Sequence, residues 1–168
     1  MKVSTVRFGD IEIKESDLIH FPAGILGFPA SKSYFIIEAQ DSEFFAWLQS
    51  AQQPELCFII TDPFIFKKDY SVNLTNKEID LLGIKEAKEI NILSIVSINA
   101  RGNKQININL MAPLVVNAST RVGYQLIKEE YGNYLRYNIK PILRKMAEIE
   151  EMDKKTFDSK SKPKAGNC

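Results

Sequence analysis

Histidine occurs once in these 168 residues and cysteine twice. The single histidine, His20, lies between Ile19 and Phe21 in a strand-like run, and no nucleophile-elbow motif accompanies it. A hydrolase would have to pair His20 with an acid such as Asp62, and nothing in the sequence links the two; His20 is read as a strand residue. Cys57 sits in the apolar run LCFII and reads as a small buried hydrophobe, whereas Cys168 ends a polar tail. Neither has a second cysteine at metal-ligand spacing, so a cysteine-based zinc site is not expected. A disulfide is not expected in a reducing compartment either.

Other absences are as informative. Lys and Arg total 22 against 21 Asp and Glu, a net charge of +1. That gives no excess of cations to face a phosphate backbone, and direct nucleic-acid binding is not expected. No glycine-rich phosphate loop is present, because GILG (24–27) lacks both the Walker spacing and a following Lys-Ser or Lys-Thr. No apolar run approaches a membrane span. The opening MKVSTVRFGDIEIKES carries charges where a signal peptide needs an apolar stretch, so a cytoplasmic protein is expected. No cofactor, metal or catalytic constellation is indicated.

What the chain has is strand pattern. VSTVRF (3–8) alternates, Phe8-Gly9-Asp10 offers a turn, and Ile11-Glu12-Ile13 resumes the alternation. DLIHF (17–21) is a short run, and FPAGILGFP (21–29) holds two prolines and two glycines, an irregular loop of fixed shape. YFIIEA (34–39) and LCFIITD (56–62) are dense in aromatic and β-branched residues. SEFFAWLQS (42–50) fits either a short helix or a strand. Asp62-Pro63 reads as a strand-ending turn. INILSIVSIN (90–99), RGNK (101–104) and QININL (105–110) form the best hairpin signal.

Helical signals are few. Thr75 followed by Glu78 is a capping-box pattern, and Gly83 is placed as a stop, which predicts a helix of about two turns over 75–84. Ile139, Ile142, Leu143, Met146 and Ile149 recur at helical spacing. Glu150 with Lys154 and Glu151 with Lys155 are i,i+4 pairs that support a C-terminal helix. The expected architecture is mainly β: a small antiparallel β-barrel-like single domain over 1–140, a C-terminal helix over 141–155, and a disordered polar tail over 156–168.

The segment QININLMAPLVVN (105–117) builds a strand on asparagines and breaks it at Met111-Ala112-Pro113. Ile106, Ile108 and Leu110 are expected to face the interior and Asn107 water. Asn109 and Asn117 bracket the break, either tying down backbone that Pro113 cannot satisfy or contacting a partner. Phe28, in the shaped loop, is either a plug in the barrel or an exposed anchor. Gln49 and Gln125 are polar residues in otherwise apolar blocks and are candidate contacts.

Four blocks carry a family resemblance: FGDIEI…IHFPAGILGFP (8–29), FFAWLQS with LCFIITDP (44–63), NLMAPLVVN (109–117) and RVGYQLIKEEYGNYLRYNI (121–139). In this order they resemble the FliW family of flagellar assembly factors, over roughly residues 1 to 140. The resemblance implies a non-enzymatic β-barrel-like protein that binds flagellin in the cytoplasm. It implies that, when free of flagellin, the protein binds the RNA-binding repressor CsrA and relieves repression of flagellin mRNA. It makes Phe28, Gln49, Asn109, Asn117 and Gln125 the candidate partner-binding residues, on a chain expected to be a monomer when free. The tail from about Glu151 has no counterpart among these blocks. The alternative is an OB-like nucleic-acid-binding module, using aromatics such as Trp47, Tyr70 and Tyr131 as stacking platforms.

Overall fold

Short runs of β-branched and aromatic residues can satisfy their backbone groups only by pairing with one another, and here the pairing closes on itself. The computed structural model describes residues 1–102 and 104–161, with side chains through Thr156. β1 (Lys2–Thr5) and β2 (Gly9–Glu12) form a separate hairpin. Gly9 takes φ +71° where the chain turns back, a conformation that costs glycine nothing.

The main sheet comprises β3 (Ile19–His20), β4 (Ser33–Glu38), β5 (Phe45–Ser50), β6 (Cys57–Thr61), β7 (Ile90–Ile98), β8 (Ile106–Ile108), β9 (Leu114–Asn117), β10 (Val122–Gln125) and β11 (Tyr137–Asn138). Their order is β11-β8-β7-β6-β5-β4-β3-β10-β9, and β7 also pairs with β9. Seven strands (β3, β4, β5, β6, β7, β9, β10) therefore form a ring. The long strand β7 makes this possible by dividing one edge between two partners: Ile90–Leu93 faces β9, and Val96–Ile98 faces β8. The mainly β, barrel-like expectation holds, with one departure from an all-antiparallel sheet. β10 meets β3 in parallel, at the single register pair Val122 and His20.

The ambiguous segment 42–50 resolves as β5. It pairs along its length with β4 and β6, and that non-local pairing overrides a weak local preference. The hairpin expected from INILSIVSIN and QININL is present as β7 and β8. α1 (Asn76–Leu82) has the predicted caps: Thr75 Oγ1 accepts the Glu78 N–H at 3.2 Å, the Glu78 carboxylate accepts the Thr75 N–H at 2.9 Å, and Gly83 ends the helix at φ +62°.

Three expectations are corrected. The C-terminal helix α2 spans Lys140–Ser161, past the expected end at residue 155. Polar composition alone did not stop it, because no Gly or Pro occurs between Pro141 and Pro163. Residues 156–161 are thus helical, and the rest of the expected tail, 162–168, lies outside the described residues. Second, Lys154 and Lys155 are absent from the ion pairs formed among the described residues, so the i,i+4 pairs with Glu150 and Glu151 do not form. Third, Asn107 does not face water but is buried. β8 is no edge strand: Asn107 lies in register between Ser97 of β7 and Asn138 of β11.

The ring encloses a core of Ile19, Phe21, Tyr34, Leu48, Ile60 and Leu114. A second cluster outside it gathers Phe66, Tyr70, Val96, Ile108, Leu110 and Ile139, with the first turns of α2 packed on it through Ile142, Leu143 and Met146. Each fully buried large side chain contributes about 1.5–3 kcal/mol, so both clusters matter to the fold.

Candidate protein-binding surface

Directly opposed residues of antiparallel strands share a face, so the register defines a row across the sheet. It runs Ile37–Trp47–Ile59–Val96–Ile108–Tyr137, through β4, β5, β6, β7, β8 and β11. This is the face opposite the core residues Leu48 and Ile60. An antiparallel sheet ordinarily keeps one face polar; here both are apolar, so the second face must be covered or used.

It is covered at both ends. At the β11 end, Ile108 is fully buried in the second cluster. At the β4–β5 end, the turn of the β1–β2 hairpin folds over Trp47, with the Phe8 ring edge-on at 5.7 Å and the Arg7 guanidinium 4.4 Å above the indole. Between the covers lies an open depression of about 610 Å³, floored by Ile37, Trp47, Ile59, Ile98 and Ile106. The loop from Glu38 to Phe44 overhangs it and separates it from a second depression of about 790 Å³ that includes Ile36, Phe44 and Ile65. Glu38 and Asp41 line both, and Glu43 and Asp62 line the second; no Lys or Arg lines either. Among the described residues, Glu38, Asp41 and Glu43 take part in no ion pair. The result is an apolar floor with carboxylates along the 38–43 side and the Arg7 guanidinium over Trp47 at the other.

The residues singled out from sequence fall into three places. Phe28 is 39% exposed, with one edge against Phe58 at 5.5 Å, so it both closes the end of the interior cluster and faces solvent. The loop that carries it is held by Gln125, whose Oε1 accepts the Leu26 N–H at 2.8 Å and whose Nε2 donates to Ala112 O at 3.1 Å. Asn109 Oδ1 accepts the Ala112 N–H at 2.9 Å. Gln125 and Asn109 thus both bond to Ala112 in the Met111–Pro113 break, and Gln125 ties that break to the loop that carries Phe28. Gly24, at φ +71°, lets the loop close, since a Cβ there would lie 2.7 Å from Phe28 O.

Asn117 and Gln49 lie elsewhere, and both are fully buried. Asn117 is tied to the end of α1 and to its own following turn. Gln49 Nε2 donates to Ser50 O at 3.0 Å and Leu56 O at 3.1 Å, holding the β5–β6 turn. Both side chains are inaccessible to a partner in this fold: the Asn117 amide serves backbone groups on both its atoms, and Gln49 Nε2 serves backbone carbonyls while its Oε1 is buried without a hydrogen-bond partner.

The hydrolytic and nucleic-acid constellations do not assemble. Asp62 caps a 3-10 turn by accepting the Phe64 N–H at 2.9 Å, and the depressions it lines do not include His20. Burial pushes the Cys57 thiol up, against a smaller opposing effect of the Arg7 charge, so it is a protonated, weak nucleophile at neutral pH. Among the described residues no group of His, Cys, Asp and Glu could hold a metal ion, and no helix is long and apolar enough to cross a membrane. Tyr131, Tyr134 and Tyr137 do gather, but their rings pack on one another at 5.5–6.3 Å, and Lys67 beside them is paired with Asp69. That is a filled cluster, not a stacking platform.

Sequence reasoning missed the groove. Its signal was available in YFIIEA, FFAWLQ and CFIITD, which are apolar at both odd and even positions.

Residues 2–140 match the sequence model of the family described as FliW protein. The chain belongs to the FliW family. It is 38% identical to the flagellar assembly factor FliW of Moorella thermoacetica over 129 residues, covering 77% of this chain and 82% of that one. It is also 38% identical to that of Ruminiclostridium cellulolyticum over 146 residues, covering 86% and 98%. Among solved structures, the crystal structure of the flagellar assembly factor FliW superposes with a TM-score of 0.72 at 30% identity, covering 82% of this chain and 94% of that one. The family match ends at residue 140, where α2 begins.

Proposed function

We propose that this FliW-family chain is a non-enzymatic, cytoplasmic regulator of flagellar assembly. It binds flagellin and, when free of it, binds CsrA and relieves repression of flagellin mRNA. The observation that carries a protein-binding role is the apolar second face of the sheet, exposed between its two covers. Ring closure bears on how a partner binds. A seven-stranded ring has no long free edge within it, and β11, at the end of the sheet, is two residues long. Addition of a partner strand to the main sheet therefore has little to pair with, leaving only the short β1–β2 hairpin with free edges, and docking of side chains into a groove or onto Phe28 is favoured. Phe28 is the anchor in this reading; Gln125 acts by fixing the loop that carries it, and Asn109 by shaping the break to which Gln125 ties that loop.

Titration calorimetry against flagellin and against CsrA, followed by competition, tests the reading. Binding to both, with flagellin displacing CsrA, is expected. Binding to neither overturns it, and binding to flagellin alone removes the regulatory arm.

A further inference from the structure

The β1–β2 hairpin is tied to itself more firmly than to the face it covers. Ser4 Oγ donates to Asp10 Oδ1 at 2.8 Å, Lys2 pairs with Asp10 at 2.9 Å, and Thr5 Oγ1 donates to Gly9 O at 2.8 Å while accepting the Phe8 N–H at 2.9 Å. Among the described residues, one hydrogen bond joins residues 1–13 to the rest of the chain, from the Val6 N–H to Pro54 O at 2.9 Å. The base of the hairpin is buried through Val3 and Thr5, but at its tip Val6 is 75% exposed, and the grip comes from Arg7 and Phe8 on a single indole. A two-stranded sheet is marginal in water on its own, so the tip keeps its place only through these few contacts. Beneath it, Phe35–Gln49–Cys57 forms the next row on the same face as Ile37–Trp47–Ile59. Phe8 lines the depression of about 610 Å³ that contains Trp47, and Val6 and Arg7 line another of about 270 Å³ with Gln49, Pro54 and Cys57. The two depressions are neighbours on one face, divided where Arg7 and Phe8 rest on Trp47.

We propose that the β1–β2 hairpin is a strap that opens: its tip lifts from Trp47 about the buried base at Val3 and Thr5, and joins the two depressions into one channel along the second face. Closed, Arg7 and Phe8 occupy the indole and withhold it from an incoming side chain. Open, the channel offers the indole as an apolar floor, and Gln49 Oε1, buried without a hydrogen-bond partner, as an acceptor that the closed hairpin leaves unsatisfied. The contact is therefore autoinhibitory. A segment that uses Trp47 must displace the tip, so its apparent affinity falls with the fraction of chains that are closed. Displacement is within reach, because one cation–π contact, one ring-edge contact and one hydrogen bond hold the tip down. The strap belongs to the chain itself and rests on neither flagellin nor CsrA binding.

Cys57 and the Val6 amide report the opening, with Cys168→Ser leaving Cys57 as the one thiol. In that full-length background, thiol labelling of Cys57 and hydrogen exchange at Val6 should both proceed through an opening insensitive to low urea. Val6 should exchange at least about tenfold faster than the Leu48 and Ile60 amides, which wait for global unfolding. Arg7→Met keeps the length of the side chain but removes the guanidinium from the indole. With circular dichroism unchanged, it should speed both processes about two- to fivefold, the weight of one cation–π contact. The direction at Cys57 separates opening from electrostatics. Burial pushes the thiol up and the Arg7 charge pulls it down, so loss of that charge alone leaves less thiolate and slows labelling. Slower or unchanged labelling in Arg7→Met overturns the proposal, as does a Val6 amide that exchanges only with global unfolding. Faster labelling without faster exchange at Val6 means another route to Cys57 and also overturns it.

Discussion

Lys128 Nζ lies 2.8 Å from Glu78 Oε2 and 3.0 Å from Oε1, and the same carboxylate accepts the Thr75 backbone N–H at 2.9 Å. One side chain therefore closes the capping box of α1 and pins the segment after β10, where Lys128 also donates to Asn73 O at 2.8 Å. Lys128 is buried, so its ammonium depends on these acceptors. Lys128→Met is expected to destabilise the fold by about 1.5–3 kcal/mol, the range for a hydrogen bond to a charged group. Glu78 gives the pH dependence. Burial pushes its carboxyl up, but the hydrogen bonds from Lys128 and Thr75 together outweigh this and hold it below the ordinary value. A depressed carboxyl contributes its stability fully above the unfolded-state pKa and loses it as pH falls through the folded one. The urea midpoints of the parent and Glu78→Gln should therefore differ at neutral pH and begin to converge only as the pH falls below the ordinary Glu range; a constant gap would exclude this linkage.

Asn117 joins two elements that share no strand pairing. Its Nδ2 donates to Leu82 O at 2.9 Å and Gly83 O at 3.1 Å, and its Oδ1 accepts the Ser119 N–H at 2.9 Å and the Thr120 N–H at 3.3 Å. Asn117→Ala should cost about 2–3 kcal/mol, because buried backbone groups lose their partners. Asn117→Asp should cost at least as much at neutral pH, since it sets a carboxylate against two carbonyls. Thermal unfolding of the pair measures this. A milder effect of Asp than of Ala would mean that only the acceptor half of the amide matters.

Local signals were read correctly where local chemistry decides. Thr75, Glu78 and Gly83 bound α1 because caps act within one turn, and the strands appear because period-two patterns survive any pairing. The closure of the ring was not legible, since it depends on β7 splitting its edge between β8 and β9 and on one parallel contact between Val122 and His20. Nothing in INILSIVSI specifies two partners on one side. The burial of Asn107 failed to show for the same reason: its neighbour Asn138 comes from a two-residue strand thirty positions later, too short to carry a pattern. The amides of Asn109 and Asn117 were suspected as backbone ties from their positions about Pro113. Gln49 was misread because an amide in an apolar block can serve a turn as readily as a partner.

Gly123 sits where β10 crosses the core, and its role is space. A Cβ there would lie 2.8 Å from Cε1 and Cζ of Phe21 and 3.2 Å from Val116 Cγ2. Its φ is ordinary, so any loss in Gly123→Ala reflects crowding rather than backbone strain. The substitution should cost about 1–3 kcal/mol. Phe21→Leu removes the ring atoms concerned, so the double variant should be less destabilised than the sum of the two single ones. Chemical denaturation of all four proteins tests this, and strict additivity would place the clash elsewhere.

Phe28 and Gln49 separate binding from folding. The Phe28 ring is partly exposed and rests on Phe58 by one edge, so Phe28→Ala should cost about 1 kcal/mol of stability, well below the 3–5 kcal/mol of a fully buried aromatic. As an aromatic anchor it should cost about 2 kcal/mol or more in flagellin affinity, on the order of thirtyfold in Kd. Gln49→Ala should behave in the opposite way. Its side chain is inaccessible, and its amide donates to Ser50 O and Leu56 O. Loss of these bonds lowers the unfolding midpoint but leaves the affinity of the folded fraction within about twofold. Calorimetry at a temperature where both variants are folded, set beside their melting curves, distinguishes the two cases. Unchanged affinity in Phe28→Ala would move the anchor away from the 21–29 loop, leaving the groove beside Trp47 as the surface to probe next.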